Sequence, residues 1–503
     1  MRLEPMLRRE VLKRCGVAAL AFAAPSLTAS VARARTAPPE SAGSRNTSGR
    51  ATIVEDIARW LEELRYEELP ANVVARAKRV TLDTLGCALG ALDAEPVHLA
   101  RQVVARQGGN QQATIIGVGG KVSCDQAAFL NGMALRYLDY NDYIALGRPH
   151  HASINVAPAL AVAEMQDASG KDLLLGFVAG YELEVRLRDA IAAKEQEGWD
   201  GTSIVAQYAS AATAGKLLRL DAPKLANALA IAGSNANTLG EVRRGAEMTP
   251  AKGSAEPMAA RNGVFAALLA REGLNYPLTM LDGPYGYGKM VSGTLDESVL
   301  RNRTGEFQII KSCIKLWPCV GTAQAPIAAA LEIYKQQPHA DEIERVTVGL
   351  SEFAYRQQIA YPDQINTREH ADHSVPYTVA RALLGGEVVV NDFQEQRFRD
   401  PRALTLVKRI TLRSDPSLSN ANIGAAVQAV SRAGRVYSAS VPIPPGSMLN
   451  PADDASLIRK FFALSERVLG RARAQQAIEV TLSLDTVPSL EDLLTAVTPS
   501  KQG

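Results

Sequence analysis

The sequence predicts a mostly α fold: a large all-helical domain built from both ends of the chain, with a smaller α+β domain inserted between them. Three observations lead there. Alanine is abundant while aromatic residues make up only 5% of the chain, a composition that suits many closely packed helices. Apolar residues recur at helical spacing through roughly the first 300 positions, with almost no period-two alternation. After Gly305 the character changes, and alternating runs appear between helical ones.

The elements follow in order. Thr52 and Glu55 form a capping-box pattern, and Ile53, Ile57, Trp60, Leu61 and Leu64 keep helical spacing behind it. A second helix runs over 72–91, with Val73, Ala77 and Val80 on one face. Ser123 and Gln126 look like another capping box, opening a helix that turns Ala127, Leu130, Ala134 and Tyr137 inward and delivers Asp139 at its end. Helical runs follow from Val156 and at 171–193, 203–219, 222–233 and 255–272. Strands are expected at 345–350, 409–413 and 435–438, interleaved with helices at 322–335, 375–385 and 423–431. A last helix at 452–468 rejoins the helical body. The expected boundaries are therefore 51–305, 306–450 and 451–503.

The first 50 residues stand apart. Arg8 and Arg9 precede an apolar run from Gly16 to Ala24, and Ala32 and Ala34 suit signal-peptidase cleavage. Residues 1–34 thus read as a twin-arginine-type signal peptide and 35–50 as a disordered leader, which predicts a periplasmic protein. Removing 1–34 changes the formal charge from +2 to −2, so no basic field for nucleic acid remains. No other run is long and apolar enough to span a membrane. Cys87, Cys124, Cys313 and Cys319 read as structural thiols; a Cys313–Cys319 disulfide has only its short spacing behind it.

The chemistry concentrates between Leu138 and Glu164. Asp139, Asp142, Arg148, His150 and His151 fall within thirteen residues, in a chain holding only six histidines. Elsewhere, Arg243, Arg244 and Lys252 sit in a glycine-bearing loop before a helix, where backbone amides could face an anion. Lys315 lies among apolar neighbours, and Tyr377 follows His373-Ser374. Each has a plain alternative: solvated cations, a snorkelling lysine, a core tyrosine. Asp200 and Thr202 suit a helix cap. Zinc held by Asp139, Asp142 and His151 lacks any recognisable ligand spacing, and His370 and His373 at i, i+3 add little. No dinucleotide fingerprint, phosphate loop or nucleophile elbow is present. Neither a metal nor an organic cofactor is expected.

Five markers in order resemble the MmgE/PrpD family of 2-methylcitrate dehydratases, cis-aconitate decarboxylases and iminodisuccinate epimerases. They are LDYND…HAS…AxALAxAE at 138–164, GYELEVRL at 180–187, LDGPYGYGKMVSG at 281–293, KLWPCVGTAQAPIAAAL at 315–331 and ADHSVPYTVARALLGGEV at 371–388. The resemblance implies a helical domain with an α+β lid, a homodimer, a cofactor-free cleft and a small di- or tricarboxylate substrate.

Matched position by position, it implies Asp139, His151, Lys252, Lys315 and Tyr377 as catalytic residues; Asp200 is counted with them, and Lys252, Lys315, Arg148 and Ser153 are expected to hold substrate. His151 would be the acid or base, with Asp139 as its orienting partner or a proton shuttle. The two lysines would steady an enolate-like intermediate. One position departs. Asp200 stands where cis-aconitate decarboxylases place a histidine, and a carboxylate there repels a substrate carboxylate unless protonated. The reading that follows is a cofactor-independent lyase of the dehydratase type. A decarboxylase or epimerase is the enzymatic alternative, and a non-catalytic exported carboxylate-binding protein is a third possibility.

Overall fold

The computed structural model describes residues 50–145, 151–191, 198–245, 247–303, 305–336, 339–361 and 365–499. The proposed signal peptide and leader except Arg50, together with Arg148 and His150, fall outside these residues. The fold is mostly α, with one four-stranded sheet and two two-residue ladders among the described residues. Among the described residues no helix is long and apolar enough to cross a membrane.

Two large apolar cores organise it. One joins residues from Ile53 to Ile314 with the C-terminal stretch from Ala452 to Val497. The other takes Tyr143 and Ala145 together with residues from Cys313 to Tyr437. Within the first, Thr52 caps the helix Ile53–Glu63 and Glu55 returns the bond to the Thr52 amide at 2.8 Å. At Ser123 the box does not form: its hydroxyl turns to Asp125 at 2.7 Å, and Gln126 turns to Gln107. The helix Gly201–Leu217 lies close to Ala255–Arg271 because Gly263 has no side chain. A Cβ there would stand 2.5 Å from the Gln207 carbonyl oxygen. That close approach matters for function, since Asp200 stands at the N-cap of the first helix and Glu256 in the first turn of the second.

The sheet runs in the order Ile410–Ser414, Ile343–Leu350, Ala425–Ser431, Val436–Val441, with only the first pair parallel. The expected helix at 423–431 is thus a central strand. Ala425, Val427 and Ala429 are buried while Gln428 is exposed, and pairing on both edges overrides the helix preference of alanine. Helices Gln324–Tyr334 and Val375–Gly385 form as expected. Cys87, Cys124, Cys313 and Cys319 are buried free thiols, so no disulfide joins the last two.

Candidate active site

The helix Cys124–Tyr137 ends at Leu138, and Asp139 follows with φ +50°, a left-handed conformation uncommon outside glycine. This turn aims the Asp139 carboxylate back into the body. Arg136, on the helix's last turn, reaches Asp139 Oδ1 at 2.6 Å. Lys315 donates to the Asp139 carbonyl at 2.7 Å and lies 3.4 Å from Oδ2; Lys252 lies 3.7 Å from Oδ1. Both lysines are buried. Burial alone would raise the Asp139 carboxyl, but Lys252, Lys315 and Arg136 outweigh it and hold it well below the carboxylate range. Oδ2 is buried and accepts no hydrogen bond from the described residues.

Several struts fix this arrangement. Tyr143–Ile144 pairs antiparallel with Ser312–Cys313, tying the loop after Asp139 to the segment that delivers Lys315. Lys460, from the C-terminal helix Asp454–Leu469, donates to the carbonyls of Tyr140 at 2.8 Å and Lys315 at 3.0 Å. Its charge is met by buried Asp83 at 2.6 Å. Gln324 accepts from the amides of Leu316 and Trp317.

His151 sits on the same loop. Its Nδ1 is 2.7 Å from the Asp142 carbonyl oxygen. A carbonyl only accepts, so Nδ1 carries the proton and Nε2 keeps its lone pair. Burial, then the charges of Arg136 and Lys315, lower its pKa well below 6.5, which keeps the ring neutral. Among the described residues His151 donates no hydrogen bond to Asp139, the partner expected from the sequence, because Asp139 is committed to Arg136 and the lysines. Asp142 does the orienting through its main chain. Its side chain accepts from Tyr181 at 2.6 Å and from the Ser153 amide at 3.2 Å, and burial pushes its pKa up to about 6. Ser153 is buried, its hydroxyl accepting from Asn141 at 2.9 Å.

A second histidine joins the cluster. His373 Nδ1 contacts Asp372, its Nε2 is 3.8 Å from Asp139 Oδ2, and Lys252 Nζ is 3.3 Å from Nδ1. Burial and then Lys252 lower its pKa. Arg368 holds Asp372 at 2.8 Å and the Tyr137 carbonyl at 3.2 Å. Sequence reasoning passed over Arg136, Glu256, Arg368 and Asp372, and treated His373 only as a weak metal ligand. The available signals were a lone Arg on an apolar helix end and an Asp-His dipeptide in a chain with six histidines. Asp139, Asp372 and His373 are close enough to share a cation. Lys252 and Lys315 face the same oxygens and oppose one.

Asp200 and Tyr377 lie elsewhere in the chemistry. Asp200 stands at the helix cap position without bonding the helix amides; instead it accepts from Ser203 at 2.5 Å and Arg243 at 2.9 Å. Burial raises it, yet Arg243 and the Ser203 bond more than compensate and hold it below the usual range. The unpaired, repelling carboxylate expected from the sequence is therefore a paired one. Tyr377 donates its hydroxyl to the Asp392 carbonyl and stacks edge-on against Phe393. It is not brought against Asp139, Lys252 or Lys315 by any contact among the described residues.

This buried union of cations, carboxylates and neutral imidazoles, spanning both cores, has counterparts in known proteins. The family models for the MmgE/PrpD N-terminal and C-terminal domains match residues 55–298 and 317–486. The chain belongs to the MmgE/PrpD family. A cis-aconitate decarboxylase-like protein of Aspergillus oryzae, oryM, is 25% identical over 485 residues, 90% of this chain and 98% of that one. The mouse cis-aconitate decarboxylase is 27% identical over 463 residues, covering 88% and 91%. The 2-methylcitrate dehydratase of Salmonella typhimurium is 26% identical over 375 residues, covering 71% and 76%. These relatives are lyases by name.

Proposed function

We propose that the protein is a cofactor-independent lyase that removes water from a small hydroxy di- or tricarboxylate. The observation that carries this reading is the convergence of Lys252 and Lys315 on Asp139 beside a neutral His151. Substrate carboxylates neutralise the lysine charge, and His151 Nε2 takes the proton from the carbon next to a carboxylate. The enolate-like dianion that forms is stabilised by the two ammonium groups, which burial has already stripped of water. Lys252, whose pKa burial lowers, then gives a proton to the departing hydroxyl, which leaves as water.

In this reading residues 306–450, which supply Lys315, Asp372 and His373, act as a lid on a helical domain formed by 51–305 and 451–503. Arg148 and Ser153 are assigned to substrate binding in this reading. Assembly as a homodimer and export on the Arg8–Arg9 leader complete the proposal. Light scattering and cell fractionation check those two points.

A second reading, decarboxylation, uses the same intermediate with carbon dioxide as the leaving group. It is favoured by the fuller coverage of the decarboxylase relatives. A panel of di- and tricarboxylates assayed for water loss, carbon dioxide release and α-proton exchange separates them. Water loss is expected; release of carbon dioxide assigns the second reading. Tight carboxylate binding with none of the three reactions would make the chain a binding protein and end both.

A further inference from the structure

We propose that Tyr181 and Glu184, on one face of the helix Gly170–Ile191, are positioning residues for His151, gripping the chain before and after it so that its ring stays aimed; this rests on the carboxylate-lyase reading above. Both belong to GYELEVRL at 180–187, a segment to which the reaction above gives no task. Gly180 lets this helix lie close to Gly201–Leu217, since a Cβ there would stand 1.9 Å from Thr213 Oγ1 and 2.9 Å from the Ala209 carbonyl oxygen. Phe177 packs edge-on against the Tyr181 ring, with centroids 5.8 Å apart. Glu182 is turned elsewhere, to Arg186 and the Gln308 amide, each at 2.6 Å.

Tyr181 and Glu184 close a ring of buried bonds beside His151. Before His151 in the chain, Asp142 accepts the Tyr181 hydroxyl at Oδ2, 2.6 Å away, and the Ser153 amide at Oδ1, 3.2 Å away. After it, Asn155 donates to Glu184 Oε2 at 2.6 Å and to the Ala152 carbonyl at 3.1 Å, while its own Oδ1 accepts from Ser210 at 3.1 Å. Ala152, Ser153 and Asn155 form the single turn Ala152–Asn155, and His151 stands at its head. Tyr181, Asp142, that turn and Glu184 are thus linked end to end, with the helix Gly170–Ile191 as the rigid side of the ring.

Among the described residues the His151 ring makes a single hydrogen bond, from Nδ1 to the Asp142 carbonyl oxygen. Where that oxygen stands fixes both the tautomer and the direction of Nε2. Tyr181 fixes Asp142, and Glu184 fixes, through Asn155, the turn that His151 opens. Neither has to touch substrate to matter. Glu184 also does its part without charge. Burial, reinforced by Glu256 and Asp142 and opposed by Asn155 and Arg188, raises its carboxyl well above the usual range, and its Oε1 accepts no hydrogen bond among the described residues. A neutral anchor leaves the field at the proton-accepting ring unchanged.

The test uses the full chain and the panel acid with the highest kcat/KM. Tyr181→Phe and Glu184→Leu should each lower kcat by about tenfold or more, as for a reacting group held slightly off line, with KM within about twofold of wild type. Glu184→Gln, which keeps an uncharged acceptor for Asn155, should recover most of the loss seen in Glu184→Leu. Added to His151→Ala, neither Tyr181→Phe nor Glu184→Leu should lower kcat further, because the group they position is gone. Isotope-labelled histidine NMR gives a readout independent of turnover. The His151 ring, identified by its absence in His151→Ala, should be the Nδ1–H tautomer in wild type and a mixture of tautomers in both variants. Wild-type kcat in both variants, or losses that add in full to that of His151→Ala, overturns this inference and leaves the lyase reading standing. No turnover of any panel acid by the wild type overturns the lyase reading; the tautomer then decides, and an unchanged one in both variants overturns this inference as well. Should Glu184→Leu not fold, Tyr181→Phe, which removes one oxygen, carries each comparison.

Discussion

Among the described residues His151 and His373 are the two imidazoles of the site, both with lowered pKa values that keep them neutral, and the difference between them lies in what holds Nδ1. His151 is held by a main-chain carbonyl, that of Asp142, at 2.7 Å. His373 is held by a carboxylate, Asp372, with Lys252 also against the same nitrogen. A neutral acceptor fixes a tautomer without adding charge, which leaves Nε2 of His151 free to take and return a proton. A carboxylate partner makes His373 part of the ionic lattice that positions Lys252 and Asp139. One ring is set up to react and the other to hold its neighbours.

Removing each ring tests that contrast. In His151→Ala, turnover should fall by about 10²–10⁴, the usual share of a positioned acid or base, while KM or calorimetric affinity stays near wild type. Undiminished turnover would end the assignment of His151. In His373→Ala the expected effect is smaller and of another kind: KM rises by about tenfold as Lys252 loses its support, with kcat changed less than KM. If kcat alone collapses in His373→Ala and survives in His151→Ala, the two roles are exchanged.

What the sequence made legible divides along similar lines. The helical body and three of the four sheet strands could be read from periodicity, while Asp139, Lys252 and Lys315 were singled out by the family resemblance and are brought together by the fold. The strand Ala425–Ser431 could not, since its alanines favour a helix in isolation and only pairing with Ile343–Leu350 and Val436–Val441 decides otherwise. Partnerships were hidden for the same reason. Asp139 and His151 are close in sequence yet unbonded, whereas Asp200 and Arg243, or Lys460 and Lys315, meet only after folding. Spacing reveals which groups are present; the choice of partner depends on chain crossings such as the one Gly263 permits.

The smallest expected effect bears on the strut behind His151. Burial raises the Asp142 carboxyl to about 6, against 3.8 for an ordinary aspartate. A raised folded pKa contributes stability that is fully present below the unfolded value and is lost as pH rises through about 6. At neutral pH the wild type therefore carries a buried charge that Asp142→Asn removes, while the amide oxygen still accepts from Ser153 and the backbone carbonyl still holds His151. The apparent Tm of Asp142→Asn minus that of wild type, at one scan rate, should rise between pH 4.5 and 8 by about 3 °C or less. The His151 term runs the other way, since its depressed pKa lowers stability as pH falls, but both proteins share it and it cancels in the difference. A difference that stays flat or falls with pH would mean that Asp142 is ionised at little cost. His151 would then be oriented beside a full negative charge rather than by a neutral carbonyl alone, and the contrast with His373 would close.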